Sequence, residues 1–173
     1  MKKFSYVAGL FFTSLLVFIL IYIDMLICRQ ITVGNGKGFA YLALVSWAVY
    51  FLSGATPKSG LDTAIAYIIG VIFPIVIVFL ANALAVTGDF AVPLAAMIVI
   101  FFVLFLEKLP KFNVLAACLC GAGCYLGVMT YVLPAPDVSF CTSASIMLFY
   151  SFMGLAFGWI TVAGRGLIDK AFK

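Results

Sequence analysis

Side chains able to do chemistry are few in this sequence, and most lie inside apolar runs. There is no histidine, which removes the commonest general base, metal ligand and proton relay. The five cysteines are Cys28, Cys118, Cys120, Cys124 and Cys141. Cys120 and Cys124 are four residues apart and share a helix face, and soft thiolates at such a spacing bind Cu(I) or Zn²⁺. The spacing is not a zinc motif, however, and the segment is apolar, so no metal and no cofactor is expected. An odd number of cysteines, three of them in one apolar run, argues against a disulfide framework. No nucleophile–base pair can be assembled, so the chain is not expected to be an enzyme.

A second group is polar without being reactive. Ser46, Trp47 and Tyr50 lie in one run, and Trp47, Tyr50 and Gly54 share a face at i, i+3 and i+7. An indole N–H and a phenol O–H inside a membrane span need hydrogen-bond partners. They read as the lining of a pore or solute site, or else as packed residues with local partners. Asp24 falls about a turn inside the outer end of the first apolar run, within reach of Arg29. Asp24 and Asn82 together can make a polar vestibule, or structural hydrogen bonds. Two further patterns read as packing: Ala117, Gly121, Gly123 and Gly127 with the cysteines of that run, and Gly154 with Gly158. Small residues four apart let helices approach closely in membranes.

These residues must be positioned by helices that cross a bilayer. The chain has 173 residues, 66% of them apolar and 9% charged, too few charges to coat a soluble globule. A crossing takes roughly 20 apolar residues, so the length admits six crossings in a single transmembrane domain over residues 1–173. The run from Phe4 to Cys28 is longer than the roughly 7–15 residues of a signal core and reads as a retained first helix. Arg29–Gly38 is a loop, followed by a short helix from Phe39 to about Ser53. Gly54, Pro57 and Gly60 form a turn, and Ser59–Asp62 has capping-box spacing for a third helix from Asp62 to about Thr87. Its Pro74 predicts a kink. Helix four covers Phe90 to Leu106, helix five starts near Phe112, and Pro134–Ser143 connects to helix six, from Ala144 to about Gly164. With both termini inside, eight of the ten Lys and Arg residues fall on the inner side, which satisfies the positive-inside rule.

The halves resemble one another. A shift of 73 positions lays Phe39 on Phe112, Ala43 on Ala116 and Gly54 on Gly127. Beyond an insertion, Gly70 falls on Gly154 and Phe73 on Phe157. Three spans per unit, about 4–88 and 89–167, predict an inverted repeat with the second copy entering from the opposite side. In such folds a solute site forms between interrupted helices at matching positions. The matching pair here is helix two with helix five, which places Cys120, Gly121 and Cys124 opposite Ser46, Trp47 and Tyr50. Away from Asp24 no charged side chain lies deep in a span, whereas a proton-coupled carrier needs one near the midplane. The expectation is therefore an all-α, six-span channel or transporter for a small, uncharged solute. The alternative is an accessory subunit that packs on a partner, or on its own copies, through the small-residue ridges. Besides the lipid bilayer, the solute and a homo-oligomer are the expected partners; no basic aromatic patch points to nucleic acid.

Ser46–Phe51 ahead of Gly54 and Pro57, with Gly70 and then Gly154–Gly158, resembles the YcdZ-like family of bacterial inner-membrane proteins, domain of unknown function 1097. The resemblance spans about residues 39–164 and implies a multi-pass protein of the bacterial inner membrane. It carries no catalytic or binding residues over. The Pro134–Ser143 connection and the cysteines of helix five depart from the family's pattern.

Overall fold

The computed structural model describes residues 2–30, 38–105, 115–132 and 139–172. Every regular element among them is helical: α1 (Lys2–Gln30), α2 (Ala40–Leu52), α3 (Pro57–Ala83), α4 (Ala91–Phe105), α5 (Leu115–Gly127) and α6 (Phe140–Ala171). A 3₁₀ segment, Ala85–Phe90, leads into α4, and a π turn, Val128–Val132, extends α5. Among the described residues, four stretches are long and apolar enough to cross a membrane: Phe4–Arg29, Pro57–Ala83, Ala85–Phe105 and Phe140–Ala171. Their outward side chains include Phe4, Phe11, Phe18, Ile72, Phe79, Phe101 and Phe102. Apolar groups displayed along whole helices belong in lipid rather than water. This is a membrane protein.

The expected short second helix is present, at 13 residues, or about 20 Å at 1.5 Å per residue. Gly54, at φ 107°, ends it. The start of α3 differs from the sequence reading. It begins at Pro57, five residues before Asp62, because proline at the first helical position gives up no hydrogen bond. Thr56 and Ser59 form the capping box: Ser59 N–H donates to Thr56 Oγ1 at 3.1 Å and Thr56 N–H to Ser59 Oγ at 3.0 Å. α3 also ends at Ala83, short of the expected Thr87, and the 3₁₀ segment takes the chain to α4; the expected turn at Gly88 is present, in a conformation (φ 60°, ψ −129°) that suits glycine.

α6 is longer at both ends than Ala144–Gly164. Ser139 caps it, accepting the Thr142 N–H at 3.0 Å. Its far end continues through Gly164 and Gly166 to Ala171 because α1 holds it: Ser5 Oγ donates to Asp169 Oδ1 at 2.6 Å, and a Cβ on Gly164 would overlap the Phe12 ring. The expected loop at 31–37, the boundary between helices four and five at 106–114 and the connection at 133–138 lie outside the described residues.

The helices gather into two compact units. One contains residues 1–60 and 149–173, hence α1, α2 and most of α6. Its interior is built on Leu16, Leu20, Leu42, Trp47, Tyr50 and Leu155. Gly154 of α6 lies against the carbonyl of Ala43 in α2, so closely that a Cβ there would overlap the oxygen. The other unit contains residues 61–148, hence α3, α4, α5 and the first turns of α6. Ala91, Ala95, Val99 and Val103 form the buried stripe of α4, at the four-residue spacing of one helix face. In this unit Gly70 of α3 lies against the carbonyl of Cys118 in α5, again with no room for a Cβ.

Candidate functional site

The first unit carries a buried carboxylate. Asp24, 5% exposed, sits in the penultimate turn of α1. Its Oδ1 accepts three donors: the Tyr150 hydroxyl at 2.6 Å, the Phe39 backbone N–H at 3.1 Å and the Cys28 thiol at 3.6 Å. Each donor follows from local structure. Cys28 is one turn further along α1. Phe39 is the N-cap residue of α2 and has no side-chain cap of its own, so the carboxylate supplies the missing acceptor where the helix dipole favours an anion. Tyr150 comes from α6, its ring packed on Phe39 at 5.6 Å between centroids. One carboxylate thus joins α1, α2 and α6. A charge-assisted hydrogen bond contributes about 1.5–3 kcal/mol, enough to offset much of the cost of placing a carboxylate in apolar surroundings.

Of the readings open for Asp24, structural hydrogen bonds are the ones observed: the donors are Tyr150, Phe39 and Cys28, while Arg29 lines a cavity of about 250 Å³ with Asp24, Met25, Cys28 and Gly38. Gly38 is required there, because a Cβ would overlap Asp24 Oδ2.

On α2, Ser46, Trp47 and Tyr50 are buried, whereas Gly54 of the expected face is exposed beyond its end; the three differ in what they bond. Ser46 donates to the Ser151 carbonyl at 2.6 Å. Trp47 is 4% exposed and packs on Phe157, with ring centroids 5.7 Å apart. Tyr50 is 1% exposed and wedged by two glycines: a Cβ on Gly158 would come within 2.7 Å of its Cδ1, and one on Gly60 within 3.0 Å of its Cε2. Among the described residues, Trp47 Nε1 and Tyr50 OH have no hydrogen-bond partner.

Asn82, Cys120, Gly121 and Cys124 belong to the other unit. Asn82 is exposed, and Cys120 and Cys124 are half-buried. Gly121 packs on Tyr67, whose Cδ1 would lie 2.9 Å from an added Cβ. The buried face of α5 is Ala117, Cys118, Gly121 and Tyr125. A Cβ on Gly123 or Gly127 would meet nothing within 4 Å among the described residues. Gly154 and Gly158, by contrast, are both engaged within their own unit.

Sequence reasoning missed Tyr150 and Phe39 as partners of Asp24. The available signal was the carboxylate itself, because an acid deep in an apolar span requires donors from neighbouring helices. No curated protein and no solved structure matches the chain. A family model does match, over residues 27–167, and the chain belongs to that family, described as protein of unknown function (DUF1097).

Proposed function

We propose that this chain forms a pathway for a small solute without net charge across the bacterial inner membrane. The observation that carries the reading is the pair of unpartnered donors on α2, Trp47 Nε1 and Tyr50 OH. A buried donor left unsatisfied costs about 1–3 kcal/mol, and two on one helix face are a standing place for an acceptor-bearing molecule such as water or a solute.

The composition of the two units supports an inverted repeat behind this pathway. If the halves are α1–α3 and α4–α6, each unit is two helices of one half plus the third helix of the other. The close contacts correspond as well. Gly154 lies on the Ala43 carbonyl; Gly70, its counterpart in the alignment, lies on the Cys118 carbonyl, two residues beyond the counterpart of Ala43. Six crossings with both ends inside then give each copy three spans of opposite sense. α2 and α5 are the short apolar helices, at matching positions of the two halves.

The test is flux through the purified protein in proteoliposomes, across a panel of small neutral and net-neutral solutes. Uptake above that of empty vesicles for at least one solute is the expected result. None across the panel, with the protein folded, overturns the reading. An accessory-subunit reading finds support in Gly123 and Gly127, whose open faces can receive a partner or a second copy. Its own ridge at Gly154 and Gly158 is already occupied within the unit.

A further inference from the structure

We propose that the cavity at the end of α1 binds a small zwitterion, with its ammonium group on Asp24 Oδ2 and its anionic group on Arg29. The two oxygens of Asp24 have different surroundings. Oδ1 takes the three protein donors, whereas Oδ2, which lies against Gly38, takes none among the described residues. Asp24 also lines the adjoining cavity, so its carboxylate has an acceptor oxygen to offer a ligand while its structural bonds stay intact.

Charge balance selects the ligand class. Among the described residues the cavity is lined by one acid, Asp24, and one base, Arg29, together with Cys28, Met25 and Gly38. A simple cation would gain Asp24 but meet Arg29; a simple anion would gain Arg29 but meet Asp24 and the negative end of the α1 dipole. A molecule carrying both charges gains from both. The volume, about 250 Å³, lies just under the roughly 300–1,000 Å³ of drug-sized sites and has room for a small amino acid. The assignment is independent of the pathway reading, because occupancy is measured without flux.

Cys28 lines the cavity and is only half-buried, so it reports occupancy directly. The full-length protein in detergent is treated with methyl methanethiosulfonate, and modification of each cysteine is followed by peptide mass spectrometry. Glycine, alanine and β-alanine are the zwitterionic probes; propylamine and propionate each carry one of the two charges. At least one zwitterion should slow Cys28 modification about tenfold at ten times its half-protecting concentration, and leave exposed Cys141 unchanged. Propylamine and propionate should not protect. R29Q should abolish protection without loss of fold, because Arg29 is exposed. D24N should do the same and still accept from Tyr150 and Phe39. Failure of all three zwitterions to protect overturns the proposal, as does equal protection by the amine or the acid alone, or protection that survives R29Q.

Discussion

Tyr150 donates its hydroxyl to Asp24 at 2.6 Å across 126 positions of the chain, and both residues are buried. The bond ties the end of α1 to α6, and the same oxygen holds the N–H of Phe39, the N-cap of α2. Three helices of one unit therefore share a single acceptor. Losing it affects more than one contact, because the Tyr150 hydroxyl, the Phe39 N–H and the Cys28 thiol all give up this acceptor.

Tyr150→Phe is expected to destabilise the protein by about 1.5–3 kcal/mol, the range for a hydrogen bond to a charged group. Asp24→Ala should cost more, since it strands both the tyrosine hydroxyl and the Phe39 N–H. Thermal unfolding in detergent measures both. The double variant should show a coupling of about 0.5–3 kcal/mol; strict additivity would mean that the bond contributes nothing.

Glycine substitutions separate contact from open space. Gly154→Ala and Gly70→Ala each drive a methyl group into a backbone carbonyl, of Ala43 and Cys118 respectively, and should cost about 1–3 kcal/mol as overpacking. Gly123→Ala meets nothing and should gain about 0.5–1 kcal/mol from helix propensity. Melting temperatures of the three variants rank them.

The cap of α3 gives a local test. Thr56→Ala should lose about 1 kcal/mol, the usual worth of an N-cap side chain. Asp62, in the second turn and outside that capping pair, should change stability by less than about 0.5 kcal/mol on replacement by Ala. Equal losses would return the cap to the Ser59–Asp62 position.

Topology is read from Cys141, exposed in the first turn of α6. With six crossings and both termini inside, an impermeant maleimide should label it from outside intact cells. Labelling only after permeabilisation would contradict that arrangement.

Much of the fold was legible in the sequence because membrane helices are marked by long apolar runs. The brevity of α2 and the break at Gly88 were readable from turn residues alone. Helix ends were read less well, for identifiable reasons. Ser59–Asp62 and Thr56–Ser59 both offer capping spacing, and only the proline at 57 decides between them. Glycines near residue 164 read as a stop, but contacts with Phe12 and Ser5 outweigh their poor helix propensity. Small-residue ridges do not reveal which way they face: Gly121 is packed while Gly123 is open. At the candidate site Asp24 was visible as an acid out of place, and Trp47 and Tyr50 as polar groups on one face. Tyr150 was not, because nothing local links residues 126 apart.

Tyr50→Phe bears most directly on the solute pathway. Its hydroxyl is buried with no partner among the described residues, so removing it should leave the melting temperature unchanged or raise it, while solute flux in proteoliposomes falls. That opposition between stability and flux is the predicted result. A variant that loses stability, or one that keeps the full flux of the unaltered protein, would contradict the account.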